Sequence, residues 1–264
     1  MQLNYLEQGT DNSQAPAVIL IHGMFGSLSN LGVLARPLVD HCRVISVDLR
    51  NHGDSPHKQI MDLPSMAADI VQLMDDLAIS SATLIGHSLG GKVAMQVALN
   101  SPGRVNGLVV ADIAPVTYQG GQDQALAALV ALSGVQVESR SAADKLLSDY
   151  VEEPGVRAFL LKNLARDPSG GLRLKLNISS IAENYSTTLV AAPTGDAFSG
   201  PTLFLKGETS AYIQDKHQPV IRQMFPRARL EVVAGAGHWL HAEQPQVVNR
   251  LIGDFLKDID IIKR

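Results

Sequence analysis

Residues 82–95 have the sequence ATLIGHSLGGKVAM, and this stretch decides the fold. Its first four residues form an apolar, β-branched run, which predicts a buried strand, and from Val93 onward apolar residues recur at helical spacing. Ser88 therefore lies on a strand-to-helix turn, between Gly86 and Gly90. Glycine is needed at both positions because side chains there would collide with the neighbouring strand and helix.

The turn places Ser88 at the beginning of a helix, where free backbone N–H groups and the helix dipole favour negative charge. An oxyanion forms at such a position during acyl transfer, so Ser88 is a candidate nucleophile. The five residues from Gly86 to Gly90 are also compatible with a helix that simply begins with small residues. The rest of the chain has to decide between these two interpretations.

Composition limits the class of protein. The chain has 264 residues, 45% of them hydrophobic, and a net charge of −4, which suits one large domain or a core with a sizeable insertion and does not favour nucleic-acid binding. With Cys42 as its one cysteine, an intrachain disulfide is impossible. No targeting signal is recognisable, and the apolar run at residues 17–21 is too short to span a membrane. We expect a cytoplasmic protein without a cofactor or metal, and the sequence leaves its oligomeric state open.

Predicted strands alternate with helices along most of the chain. The strands are predicted at residues 2–8, 17–21, 44–47, 82–85, 108–111, 201–205 and 229–233. Helical spacing is found at residues 30–39, 62–77 and 93–98 and from Pro245 onward. This alternation predicts an α/β fold with a mostly parallel central sheet and helices on both faces. Active sites in such sheets gather at the carboxyl ends of the strands, where Ser88 and Asp112 both lie.

The alternation stops between residues 115 and 200. Three short amphipathic helices are predicted at residues 122–132, 142–151 and 155–165, with a possible edge strand at 172–176. We therefore expect a mainly helical cap at residues 115–200, inserted into a core made of residues 1–114 and 201–264.

A nucleophilic serine needs a general base, because a free hydroxyl is a weak nucleophile. His238 is the best candidate, since it follows the last predicted strand in a glycine-flanked loop. His22 is expected to hold a loop through backbone contacts, His52 is expected to be structural, and His241 is a weaker alternative as base. His41, His57 and His217 lack any strand-end context and are expected to be solvated, whereas His87, inside the elbow, is expected to point away from Ser88. An oxyanion hole needs two backbone donors, for which we predict the N–H groups of Leu89 and Met24.

Taken together, these features resemble the α/β-hydrolase family. More narrowly, the chain is similar to the small bacterial YbfF-type esterases. The similar stretches are residues 26–36 (GSLSNLGVLAR), 48–53 (DLRNHG), 112–115 (DIAP) and 234–243 (AGAGHWLHAE). The resemblance implies a serine hydrolase with a catalytic triad and covers nearly the whole predicted core. Haloalkane dehalogenases and epoxide hydrolases of this fold attack with a carboxylate, and here position 88 is a serine.

The triad acid departs from the usual pattern of the family. Many relatives place it three residues after a glycine that here corresponds to Gly207, but that position is Ser210, which cannot stabilise an imidazolium by charge. The resemblance implies Asp112 as the acid, at the end of the preceding strand. Glu208 is the second candidate.

We therefore expect a serine carboxylesterase whose small-molecule substrate is an acyl ester or thioester. A carbon–carbon bond hydrolase of the same fold and a non-catalytic ligand-binding member are the alternatives. The predicted substrate-binding residues are Phe25, Tyr118, Tyr212 and Trp239. Five basic residues between positions 156 and 176 suggest a face that attracts an anionic leaving group such as coenzyme A, although a solvated helix face is the favoured interpretation.

Overall fold

A computed structural model of the protein describes residues 1–10, 15–119, 123–168 and 170–263. Seven strands in these ranges form one sheet in the order β1-β3-β2-β4-β5-β8-β9, and β6 and β7 pair separately. β1 is antiparallel to β3, whereas the other neighbours in the large sheet are parallel. The strands are β1 (Tyr5–Gly9), β2 (Ala17–Ile21), β3 (Arg43–Val47), β4 (Ala82–His87), β5 (Val105–Ala111), β6 (Leu164–Arg166), β7 (Leu172–Leu174), β8 (Thr202–Gly207) and β9 (Ala228–Val233).

Helices cover both faces of the large sheet, as predicted. The helices of the described ranges, including those of the segment between β5 and β8, are α1 (Gly32–Ala35), α2 (Leu63–Asp76), α3 (Leu89–Asn100), α4 (Gln124–Ser133), α5 (Arg140–Leu147), α6 (Pro154–Leu161), α7 (Ile178–Asn184), α8 (Gln218–Met224), α9 (Leu240–Glu243) and α10 (Pro245–Asp258). None of the helices in the described ranges is long and apolar enough to cross a membrane.

The apolar run of β2 is buried throughout because helices pack on both sides of it. Ile19 and Ile21 join a hydrophobic cluster with residues of α2 and α3, whereas Val18 and Leu20 join a second cluster with α1 and α10. Successive side chains of a strand point to opposite faces, so one continuous apolar run supplies both cores. The predicted α/β class with a mostly parallel sheet is confirmed.

Helix α2 begins where the sequence predicts it. The side chain of Asp62 accepts a hydrogen bond from the Ser65 N–H at 2.8 Å, and Pro64 occupies the first turn. The helix predicted at residues 30–39 is much shorter than expected: a 3₁₀ turn, Leu28–Leu31, leads into α1, which ends at Ala35. Pro37 has no N–H to donate to the Val33 carbonyl oxygen, which instead accepts from the Asn249 side chain at 3.1 Å, so the helical hydrogen bonds stop here.

Between β5 and β8 the described chain contains α4 to α7 and the β6–β7 pair. The helix predicted at residues 155–165 ends at Leu161, because residues 164–166 pair with residues 172–174 instead. Helix α7 is followed by a wider π-helical turn, Tyr185–Leu189. The predicted helix at residues 122–132 begins outside the described residues, and its observed part starts at Gln124.

Candidate active site

Ser88 lies on the strained turn between β4 and α3. Its backbone has φ 52° and ψ −120°, a conformation that non-glycine residues rarely adopt. A Cβ atom on Gly86 would overlap the carbonyl oxygen of Gly90, and one on Gly90 would overlap the carbonyl oxygen of Ile21. Both glycines are therefore required by close backbone packing, as the sequence predicts.

His238 lies next to Ser88, in the loop between β9 and α9. Its Nε2 atom is 3.0 Å from the Ser88 Oγ atom, within hydrogen-bonding distance. The Tyr212 ring stacks on the imidazole, with 4.1 Å between ring centroids, and His87 Nε2 forms a 2.8 Å hydrogen bond with the His238 carbonyl oxygen. Contacts to both the side chain and the backbone of His238 thus hold this loop in place.

Asp112 is fully buried and contacts the other ring nitrogen of His238. Its Oδ2 atom is 2.8 Å from His238 Nδ1, and its Oδ1 atom accepts a hydrogen bond from the Gly207 N–H at 2.9 Å. The carboxylate of Glu208 instead accepts a hydrogen bond from the Gly235 N–H at 2.7 Å. Of the two acid candidates, Asp112 is therefore the one whose carboxylate bonds to the His238 ring.

Ser210 has a role that the sequence did not reveal. Its hydroxyl donates a short hydrogen bond to Asp112 Oδ2, the same oxygen that faces His238. The position where most relatives would carry the acid thus carries a donor to the relocated acid. The one hint in the sequence was the position of Ser210, since a residue at the usual place of the acid is expected to lie near the catalytic histidine.

Glu243 also holds the His238 loop, and the sequence analysis missed it. Its carboxylate accepts hydrogen bonds from the N–H groups on both sides of His238, at 2.7 Å from Gly237 and 3.1 Å from Trp239. No spacing pattern identifies such a contact, since a carboxylate on α9 could equally face solvent.

The predicted oxyanion loop packs directly against Ser88. An ideal Cβ on Gly23 would lie 3.0 Å from His87 Nδ1 and 3.2 Å from Ser88 Cβ, so a side chain at this position would crowd the nucleophile. The next residue is Met24, and Leu89 is the first residue of α3. Among the described residues, we find no protein acceptor for either of these two N–H groups. They are available to a ligand beside Ser88.

Two buried histidines fix this loop rather than taking part in proton transfer. His22 Nδ1 is 2.7 Å from the Gly23 carbonyl oxygen, and its Nε2 atom accepts from the Leu49 N–H. His52 Nε2 accepts from the Phe25 N–H at 3.1 Å. Burial lowers the pKa of His22 to about 4 and that of His52 to about 3, so both rings are neutral acceptors at pH 7. The loop-holding role expected for His22 agrees with its contacts, and His52, which was expected to be structural, holds the same loop.

The expectation that His217 is solvated is wrong. Its side chain is buried, its Nδ1 atom accepts a hydrogen bond from the Gln214 N–H, and its ring packs edge-on against Tyr118. His241 is buried against His87, and desolvation lowers its pKa to about 4. It has no contact with Ser88 or Asp112 among its ring and hydrogen-bond partners in the described structure.

A cavity of about 960 Å³ opens onto Ser88 and His238. All four predicted substrate-binding residues line it, together with both predicted oxyanion donors. Phe25 itself is nearly buried, and the Tyr118 hydroxyl bonds the Tyr212 carbonyl oxygen and the Ala114 N–H. From the segment between β5 and β8, Phe159 and Leu160 also line the cavity, with the Phe159 ring 6.0 Å from that of Trp239.

Lys92, one turn along α3 from Ser88, is a buried cation that the sequence analysis did not single out. Its Nζ atom donates to the carbonyl oxygens of Val190 and Ala191 at 2.8 and 2.6 Å and lies over the Tyr118 ring. Burial lowers the pKa of this ammonium group to about 7. The two hydrogen bonds of Lys92 connect α3 to the residues that follow the π-helical turn.

A hydroxyl, an imidazole and a carboxylate in this hydrogen-bonded order can move a proton from the hydroxyl oxygen to the imidazole. Two unoccupied N–H groups beside the hydroxyl can bind the negative oxygen that then develops on an attacked carbonyl group. The arrangement is therefore suited to acyl transfer.

Comparisons with known proteins point to the same chemistry. A family model described as the alpha/beta hydrolase fold matches residues 16–245. Esterase YbfF of Escherichia coli (strain K12) is 39% identical over 260 residues, which cover 98% of this chain and 100% of that protein. The sn-1-specific diacylglycerol lipase ABHD11 of Mus musculus is 39% identical over 250 residues, covering 91% and 81%. A solved structure, a marine microorganism esterase, superposes with a TM-score of 0.92 at 38% identity and covers 97% of this chain and 99% of that one.

Proposed function

The chain belongs to the alpha/beta hydrolase fold family and is a carboxylic ester hydrolase, and from that premise we propose that it cleaves its substrate through an acyl-enzyme on Ser88. The observation that carries this proposal is the continuous line of hydrogen bonds from Ser88 Oγ through His238 to the buried Asp112 carboxylate. A serine at a strained elbow and an imidazole nitrogen 3.0 Å from its hydroxyl oxygen are the two parts that nucleophilic catalysis requires.

In the proposed first half-reaction, Ser88 Oγ attacks the ester carbonyl carbon while His238 Nε2 takes the serine proton. The Met24 and Leu89 N–H groups bind the resulting oxyanion. The Asp112 carboxylate accepts a hydrogen bond from the Nδ1–H of His238, which keeps Nε2 free to act as the base and stabilises the imidazolium that forms. The tetrahedral intermediate then collapses, and His238 gives the proton to the departing alcohol.

In the second half-reaction, water replaces the alcohol. His238 removes a proton from the water as its oxygen attacks the acyl carbon, and a second oxyanion forms in the same site. Collapse of this intermediate breaks the bond to Ser88 Oγ, which recovers its proton from His238. The products are the carboxylic acid and the regenerated serine.

Residues 115–200 act in this proposal as a cap over a core made of residues 1–114 and 201–264. The cavity supports this division, because its lining combines Ser88 and His238 from the sheet edge with Phe159 from α6. Side chains of the cap segment also bond to core carbonyl groups, as Ser180 does with Lys58 and Gln59. We place the substrate's acyl group between these two parts.

The substrate class that we propose is an uncharged ester with a large apolar group. The cavity is of the size that holds drug-sized ligands, and its wall contains Phe159, Leu160 and Trp239. The relative named a diacylglycerol lipase makes lipid-derived esters reasonable test substrates. The basic face expected to attract coenzyme A is partly neutralised, since Arg157 pairs with Asp144 and Lys175 pairs with Asp54. An oxygen ester is therefore favoured over an acyl-CoA thioester.

The test is hydrolysis of p-nitrophenyl esters of graded chain length by the wild-type protein and by Ser88→Ala. Wild type should turn over these esters, and Ser88→Ala should lose about 10³-fold or more of kcat. Glu208→Gln keeps an oxygen that can accept from Gly235 and should remain close to wild type. An inactive wild-type protein, or an active Ser88→Ala, would contradict the proposal.

A further inference from the structure

The strongest unexplained contact near the candidate active site comes from the cap segment. Asn163, which follows α6, is 3% exposed and donates a hydrogen bond from Nδ2 to the Phe25 carbonyl oxygen at 2.8 Å. The two residues are 138 positions apart in the chain. Phe25 belongs to the loop that carries the Met24 N–H, so a cap side chain bonds directly to the predicted oxyanion loop.

The loop at this point is a strained turn. The Gly26 N–H donates to the Gly23 carbonyl oxygen at 3.0 Å and closes a four-residue turn with Phe25 as its third residue. Phe25 has φ 59°, where glycine or asparagine is usual in turns and a bulky side chain is disfavoured. Such a conformation persists only where surrounding contacts hold it in place.

Contacts from three sides hold this turn. His22 bonds to the Gly23 carbonyl oxygen, His52 accepts from the Phe25 N–H, and Asn163 donates to the Phe25 carbonyl oxygen. The first two come from the sheet edge, whereas Asn163 comes from the cap segment. Removing Asn163 would leave a buried carbonyl oxygen without its donor and release the strained residue on one side.

Asn163 is itself held firmly. Its side-chain Nδ2 and backbone N–H both bond to the Leu160 carbonyl oxygen, at 3.1 Å each, and its carbonyl oxygen accepts from the Lys175 N–H. Leu160 and its neighbour Phe159 line the cavity. The amide therefore connects the cavity wall on α6 to the turn beside Ser88.

We propose that Asn163 is a positioning residue for the oxyanion hole, in which its side-chain amide holds the turn that presents the Met24 N–H to the developing oxyanion. The inference rests on the proposed function, since it requires Met24 to be an oxyanion donor. In this proposal the cap segment both forms a wall of the cavity and helps to position a group that binds the oxyanion.

The test compares Asn163→Ala and Asn163→Asp with Asn184→Ala. Asn184 is a matched control, because its Nδ2 also donates to one core carbonyl, that of Gln59 at 2.9 Å, and to one carbonyl of its own helix, that of Ser180 at 2.8 Å. Asn163→Asp preserves the shape of the side chain but replaces the donor with a carboxylate oxygen. It therefore tests the need for the hydrogen bond to Phe25 even if the alanine variant does not fold.

For hydrolysis of p-nitrophenyl butyrate, both Asn163 variants should lower kcat by about 10- to 100-fold, the scale of a small misplacement of a catalytic group, with little change in KM. An alkyl trifluoromethyl ketone, which adds to a serine and leaves an oxyanion, should bind more weakly by the same factor. The matching methyl ketone, which serves as the ground-state reference, should bind as it does to wild type. Asn184→Ala should keep the wild-type kcat while its Tm falls.

Two results would overturn the inference. One is wild-type kcat in Asn163→Asp together with loss of activity in Ser88→Ala, which would leave the proposed function intact. The other is an equal loss of affinity for the two ketones, which would mean that Asn163 supports only the cavity wall. Full activity of Ser88→Ala would instead overturn the proposed function itself, and the inference with it.

Discussion

Asp112→Asn is the substitution that most sharply probes the proposed triad. Asparagine has nearly the same shape, and its oxygen can still accept the Gly207 N–H that now bonds to Asp112 Oδ1 at 2.9 Å. The amide nitrogen would then occupy the position of Oδ2, 2.8 Å from His238 Nδ1. Two N–H groups cannot face each other, so Nδ1 would lose its proton and become an acceptor.

In that tautomer His238 carries its proton on Nε2, which faces Ser88 Oγ at 3.0 Å and can no longer accept the serine proton. A wrong tautomer of this kind costs about 10⁴-fold in kcat in the Ser-His-Asp template, or about 5 kcal/mol of transition-state stabilisation. We expect a loss of this size for Asp112→Asn, with little change in KM.

The assay is steady-state hydrolysis of p-nitrophenyl butyrate, with the thermal unfolding of each variant measured in parallel. Glu208→Gln is the matched control, since it removes the other candidate carboxylate from the same sheet edge. Near-complete activity of folded Asp112→Asn combined with an inactive Glu208→Gln would refute the assignment of the acid.

Three further predictions concern residues that support this site. Ser210→Ala removes the donor to Asp112 Oδ2 and should lower kcat about tenfold, the worth of one hydrogen bond to a buried carboxylate; unchanged kcat would contradict a supporting role. Glu243→Ala releases the two N–H groups that flank His238 and should also lower kcat about tenfold, because the imidazole is misplaced. A change in KM with an unchanged kcat would contradict this role for Glu243. His22, whose pKa falls to about 4 on burial, stays neutral in the folded state while the unfolded chain binds a proton below pH 6.5, so acid favours unfolding. Denaturant titrations should find that lowering the pH from 6.5 to 4 removes about 3 kcal/mol of stability through this group, and His22→Gln should reduce that slope, whereas an unchanged slope would exclude this source.

The sequence was sufficient for the parts of the site that local backbone geometry dictates. Gly86 and Gly90 identify the elbow because each lies where a Cβ atom would overlap a neighbouring carbonyl oxygen. At Gly23 the fit is less strict, since a Cβ atom there would crowd His87 and Ser88 without overlapping them. The alternation of apolar runs with helical spacing predicted the parallel sheet, since both periodicities are properties of single segments.

Contacts between distant segments were beyond the reach of these patterns. The sequence suggested that position 210 lacked an acid, yet Ser210 contacts Asp112 across 98 residues and strengthens the alternative placement. Asn163 and Phe25 are brought together only by the path of the cap segment. His217 was expected in solvent because it does not follow the end of a predicted strand, but it packs against Tyr118 from a different part of the chain. The cytoplasmic location and the absence of a cofactor remain predictions.

Rapid acid quenching during turnover of p-nitrophenyl butyrate, followed by peptide mass spectrometry, would reveal an acyl-enzyme on Ser88. We expect a butyryl group on the peptide that contains Ser88 in the wild-type protein and none in Ser88→Ala. Turnover by wild type with no acyl group on Ser88, or with the acyl group on another residue, would contradict the proposed acyl-enzyme.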